Sequence, residues 1–184
     1  MRGFPNQIAD LGKLAQGLRC VIQLLDDLQN PRDDGVLGKT LVRAGVAGTG
    51  HRPIPVEDYM RRQLTKAPSN QSFRTTARGL RELFRLLGLI DDSGPGVEVT
   101  LLGQQAGAFA GSPMDSKQIA FWRRVIRNMT HAEVNGEVSH PYQVLLRLVA
   151  RKPGITRAKC ALALEARNDS PDELDRIVAL ADFG

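Results

Sequence analysis

Cysteine, histidine and aromatic residues are all scarce, with two Cys, three His and only 5% Phe, Trp and Tyr in 184 residues. Cys20 and Cys160 lie in apolar stretches with no His or second Cys beside them, which excludes a zinc-finger spacing and a disulfide framework. Nor do His51, His131 and His140 stand at metal-ligand spacing. No run approaches 18 consecutive apolar residues, and Met1-Arg2-Gly3-Phe4-Pro5-Asn6 leads into no apolar core of a signal peptide. A reduced, cytoplasmic chain that neither spans a membrane nor is secreted is expected. The excess of one charge sign is also small: 25 Lys and Arg against 20 Asp and Glu give +5 and a pI near 9.6. Such a balance admits an anionic partner only if the charge is concentrated. What the chain does have is 42% apolar and 24% charged residues, a globular proportion that excludes a disordered tail and leaves room for one domain or two small ones.

Apolar periodicity points to helices. From Ile8 through Leu11, Leu14, Leu18, Val21, Leu25 and Leu28 the spacing is helical until Asn30-Pro31 stops it. Gly35 to Ala44 is a second helix, and Gly45, Gly48, Gly50, Pro53 and Pro55 then make a loop. Val56 to Leu64 reads as a short helix ended at Ala67-Pro68, followed by a stronger one from Gln71 to Leu87, with Asn70 or Ser72 as N-cap and Gly88 as C-cap. Leu89–Asp91 and Val97–Thr100 flank Asp92-Ser93-Gly94-Pro95-Gly96 as a β-hairpin. Helix, turn, helix, hairpin is a winged-helix order. Thr100 caps a helix to Phe109, and Lys117 to Met129 is a connecting helix. From Ser139 a second unit repeats the helix order: one helix around Val144 to Val149, another from Ala158 to Ala166, and a third opened by Ser170-Pro171. It lacks a hairpin after its third helix. The expected architecture is therefore mainly α, with tandem winged helix-turn-helix units: residues 1–54 a helical segment, 55–111 the first unit, 112–138 a connector and 139–184 a second, truncated unit.

The charge concentrates in the first unit. Phe73, Ala77, Leu80, Phe84 and Leu87 share one helix face, and Arg74, Arg78, Arg81 and Arg85 repeat the same steps one residue later. That offset is about 100° around the axis, so four guanidinium groups line a stripe beside the buried face. With Arg61, Arg62 and Lys66, residues 55–85 carry seven cations against Glu57, Asp58 and Glu82. Arginine's planar fork suits phosphate and guanine edges, while Gln71, Ser72, Thr75 and Thr76 at the helix start offer mixed donors and acceptors for base edges. The bland alternative is a solvated face with Glu82 pairing locally. In the second unit, basic residues precede Cys160 and acidic ones follow it, so the last helix, with Asp172, Glu173 and Asp175, is unsuited to approach phosphate.

Catalytic motifs are incomplete. Asp115-Ser116-Lys117, with Asp91 or Asp92 upstream, matches the acidic triplet of a metal-dependent nuclease, but its place after Pro113 suits a helix N-cap better. His131-Ala132-Glu133 lacks the cysteine pair of a zinc deaminase. Gly48-Thr49-Gly50 is no phosphate-binding loop, and Asp182-Phe183-Gly184 has no other kinase element around it. No catalytic or metal-binding residue is expected.

The stretch from Ser72 to Phe183 resembles the N-terminal recognition region of type IIS restriction and nicking endonucleases of the AlwI and FokI kind. The resemblance is carried by Ser72-Phe73-Arg74-Thr75-Thr76-Ala77-Arg78, Leu87-Gly88-Leu89-Ile90, Val99-Thr100-Leu101-Leu102-Gly103, His140-Pro141, Leu145-Leu146, Gly154-Ile155-Thr156 and Pro171 to Val178. It implies sequence-specific binding of double-stranded DNA by the first winged helix, onto Arg74, Thr75 and Arg78 first and Arg81 and Arg85 second. The second unit is then scaffold, and the magnesium of such enzymes belongs to a nuclease domain not contained in these residues. This makes the chain a recognition fragment without a cofactor of its own, expected to act as a monomer. The rival readings are a winged-helix transcriptional regulator, dimeric on a palindrome, a protein-interaction module whose arginine stripe holds an acidic partner, and a small enzyme built on Asp91, Asp92 and Asp115.

Overall fold

A computed structural model describes residues 10–48, 54–132 and 135–183. They form a mainly helical chain with two short antiparallel hairpins, and divide into two compact units, one within Pro5–Gln118 and one from Ile119 onward.

In the first unit, helix α1 (Leu11–Asp26) begins where Asp10 accepts hydrogen bonds from Gly12 and Lys13; Ile8, expected to open it, lies outside the described residues. Helix α2 (Asp34–Arg43) is capped by Asp33 in the same way. Both use a carboxylate to satisfy N–H groups that have no partner inside the helix. Of the loop expected over Gly45 to Pro55, residues 49–53, His51 among them, are outside the described set. Helix α3 (Val56–Leu64) leads through an exposed turn to α4 (Ser72–Leu86).

The expected cap of α4 is corrected. Gln71 stands at the N-cap and its side chain makes no cap bond; the Ser72 N–H instead donates to Gln63 Oε1 at 3.1 Å. A buried glutamine from the preceding helix thus satisfies the donor, leaving Asn70 and Ser72 without that task. At the other end Gly88 has φ +66, and Leu89 N–H reaches back to Phe84 O at 2.8 Å, the left-handed closure that glycine allows. The chain then forms strands β1 (Ile90–Asp91) and β2 (Glu98–Val99), paired Ile90 to Val99 and Asp91 to Glu98. Thr100 caps helix α5 (Leu101–Ala108) by accepting from Gly103 N–H, while its hydroxyl donates to Gly88 O at 2.8 Å. Hairpin and α4 terminus are tied together by one side chain.

The core of this unit comes from α1, α2 and α4, with Leu14, Leu18, Val21, Leu37, Leu41, Phe73, Leu80 and Phe84 all buried. Helix α2 lies closest along α4. A Cβ built on Gly38 would stand 2.5 Å from the Phe73 ring and 2.7 Å from its carbonyl oxygen, so only glycine permits this approach.

Helix α6 spans Ser116–Arg127, and Asp115 accepts from Gln118 N–H at its start. The second unit continues with strands β3 (His131–Ala132) and β4 (Val138–Ser139), then α7 (Pro141–Arg151), α8 (Arg157–Cys160) and α9 (Pro171–Asp182). One expectation changes here, and one element is new. The helix expected over Ala158 to Ala166 is a single α turn followed by a 3-10 stretch at Ala161–Glu165. A hairpin not expected from the sequence precedes the three helices. Its two-residue strands are too short to show a period in the sequence. The core here joins Val144 and Leu148 to Ala163, Leu174, Ile177 and Ala181.

Candidate nucleic-acid interface

The arginine stripe on α4 is real, and it is occupied. Asp34, the first residue of α2, lies between two of its members. Its Oδ2 accepts from Arg78 Nε at 3.0 Å and Nη2 at 2.9 Å, and its Oδ1 accepts from Arg81 Nη1 at 3.0 Å. Arg81 also donates to Arg32 O at 2.7 Å and comes within 3.9 Å of Asp92 Oδ2. Arg74 donates through Nε to Gln71 Oε1 at 2.8 Å and stands 3.8 Å from Asp33. A Cβ on Gly35 would fall 2.5 Å from its Nη2, so the guanidinium rests on the bare backbone of α2. Arg85 pairs with Glu82, which holds its pKa above the ordinary value. The Asp33 carboxyl is held below its ordinary range, first by the N–H groups of Gly35 and Val36 that it caps.

These pairs differ in how far they commit each arginine. The side chains of Arg78 and Arg85 are 69% and 47% exposed, and exposed ion pairs are worth only about 0 to 1 kcal/mol. A phosphate or base edge can replace such a carboxylate at little cost. Arg81, 20% exposed and bonded to a main-chain carbonyl, belongs to the packing of α4 against α2. Arg74 is intermediate.

The other expected residues separate similarly. Gln71, expected among the base-edge groups, is buried, with its amide spent on Lys66 O at 3.0 Å and on Arg74. Ser72 shares a 2.8 Å hydrogen bond with the Tyr59 hydroxyl. Thr75 is exposed, and Thr76 bonds back to Ser72 O. On α3, Arg61 pairs with Asp58 at 2.7 Å, whereas Arg62 and Lys66 are exposed. These two have no carboxylate partner among the described residues. The structure thus brings Arg62, Lys66, Ser72, Thr75 and Arg78 onto exposed positions between α3 and the middle of α4, and draws Gln71 and Arg81 away.

Beside this segment, Arg32 holds the hairpin turn. Its guanidinium donates to the carbonyl oxygens of Asp92, Gly94 at 2.5 Å, Pro95 at 3.3 Å and Gly96 at 3.2 Å. Arg32 and Asp34 are the residues that sequence reasoning missed. The one available signal was Asp33-Asp34-Gly35 as an acidic helix start; which cations it would meet lies more than 40 positions away.

The acidic residues considered for catalysis have structural tasks. Asp115 caps α6, and Asp91 accepts from the Ser93 N–H and hydroxyl. Among the described residues no group of three or more His, Cys, Asp or Glu is placed to hold a metal ion; Glu133 lies outside them. No described helix is long and apolar enough to cross a membrane. No protein-family model, curated protein or solved structure matches this chain.

Proposed function

We infer that the chain binds double-stranded DNA in a sequence-dependent way, with α3, the turn after it and α4 as a helix-turn-helix and β1–β2 as its wing. The observation that carries this reading is the set of exposed positions between Arg61 and Arg78, in which two cations without carboxylates, Arg62 and Lys66, precede the exposed Ser72, Thr75 and Arg78 of α4. Recognition helices present their N-terminal residues to base edges while the preceding helix meets the backbone. In this reading Arg62 and Lys66 take phosphate, and Thr75 and Arg78 face the groove. Arg61 and Arg85 add contacts by exchanging Asp58 and Glu82 for DNA. Arg74, Arg81 and Gln71 hold α4 in place. The resemblance of residues 72–183 to type IIS recognition regions favours one copy per site over a two-fold regulator, and adds that cutting, with its magnesium, would be the work of a separate domain.

The test begins with selection of bound duplexes from a randomised pool, followed by anisotropy titration of the selected sequence. Arg62→Ala and Lys66→Ala are expected to weaken all duplexes alike and lower the salt slope by about 1 each. Arg78→Ala should cost about 1 to 3 kcal/mol and relax preference at one base position. A pool that yields no preferred sequence, or a preference untouched by Arg78→Ala and Thr75→Val together, overturns the assignment and returns the protein-interaction reading.

A further inference from the structure

Helix α6 carries a second cationic surface of a different kind. Its twelve residues include Lys117, Arg123, Arg124 and Arg127 and no Asp or Glu. Lys117, Ala120, Arg124 and Arg127 follow steps of three, four and three, so they share one face, and Arg123 stands beside it. All four cations are exposed, whereas Phe121, Trp122 and Val125 on the other side are buried.

The cations of this face are uncompensated, as Arg62 and Lys66 are, but here four of them share one helix. Each arginine of the α4 stripe meets a carboxylate of its own chain. In the second unit Arg151 meets Asp175, Lys152 meets Asp182 and Arg176 meets Glu173. None of the four α6 cations has a carboxylate partner among the described residues. Arg124 alone is restrained, its guanidinium 5.8 Å from the centroid of the Phe121 ring. Four uncompensated cations on one helix with no acidic residue among its twelve are thus turned to solvent.

We propose that the exposed face of α6 is a docking surface for the sugar-phosphate backbone of duplex DNA, without sequence preference. From Lys117 to Arg127 the helix rises about 15 Å, which spans roughly four phosphates of one strand. The partner is a polyanion and not a lipid surface, because an interfacial helix must bury its apolar face in the membrane and that face is already inside the protein. Apart from Ala120 the face offers cationic donors and none of the acceptors that read adenine and cytosine edges, which suits backbone contact that positions without specifying. This surface stands on α6 alone and does not need the reading of α3 and α4.

The experiment measures binding of a random-sequence 20-base-pair duplex across a salt series, for the full chain and for Arg123→Gln/Arg124→Gln/Arg127→Gln, with melting curves to verify folding. Loss of three phosphate contacts should reduce the slope of log K against log salt by about 3, and the same reduction should appear in a background of Arg62→Gln/Lys66→Gln. Should the triple variant not fold, Arg123→Gln and Arg127→Gln singly are each expected to lower the slope by about 1. An unchanged slope in folded variants overturns the proposal, as does equal competition by polyglutamate at matched charge, which would assign the face to an acidic protein. Failure here with a surviving base preference leaves α4 as reader. Salt-dependent binding without preference leaves α6 as the contact.

Discussion

Arg78 and Arg81 sit three residues apart, meet the same Asp34, and do different things. Arg81 is largely covered and serves Asp34 and the Arg32 carbonyl together. Removing it strands a main-chain acceptor and half of a carboxylate, a loss of about 1 to 3 kcal/mol. Arg78 contributes an exposed pair worth about 1 kcal/mol at most. Arg81→Ala should therefore lower the urea midpoint clearly while Arg78→Ala barely moves it, and under the proposed function the order is reversed for duplex affinity. Equal midpoints would show that the cover over Arg81 carries no energy. The sequence made the stripe visible, because four arginines in step with an apolar face are a local pattern. It hid the pairing, because Asp34 is separated from Arg78 and Arg81 by a loop and a whole helix.

At the level of elements, periodicity located most helices, and caps located several of their starts: Thr100 and Ser170 act as their positions suggested. Gln71 failed as a surface residue for a reason no propensity contains. Its amide bridges Lys66 O and Arg74 Nε, and that demand arises only once α3 and α4 have met. The two-residue strands of the second hairpin left no pattern to read. Gly38, unremarkable in the sequence, sets how closely α2 approaches α4. Gly38→Ala gains up to about 1 kcal/mol in helix propensity, but its methyl meets the Phe73 ring and carbonyl at 2.5 and 2.7 Å. Backbone cannot yield as a side-chain tip does, and overpacking of this kind costs about 1 to 3 kcal/mol. The expected result is a net loss of about 1 to 2 kcal/mol by chemical denaturation. A midpoint at or above wild type would mean the two helices separate without penalty.

Across the whole molecule, opposite charges do more work inside the chain than its small net excess suggests. Asp33 caps α2, Asp34 holds two arginines, and Glu173 accepts from the Arg167 N–H at 2.8 Å while pairing with Arg176. The pKa of Glu173 is lowered, first by the Arg176 guanidinium and then by that N–H; those of Asp33, Asp91 and Glu137 are lowered chiefly by the groups that donate to them. A carboxylate whose pKa is depressed by folding contributes its full stability above the unfolded value and loses it as pH falls through the folded one. Stability should therefore hold near neutral pH and decline from about pH 4.5, the ordinary glutamate value, downward. The 25 lysines and arginines stay charged while the 20 carboxylates neutralise, so self-repulsion adds to the loss. Melting temperature measured from pH 7 to pH 2 should drop steeply in the acid limb. Glu173→Gln should be less stable at pH 7 and show a shallower acid limb, because the amide still accepts from Arg167 but no longer carries a charge to lose. A melting temperature independent of pH over that range would contradict the charge-paired architecture in both units.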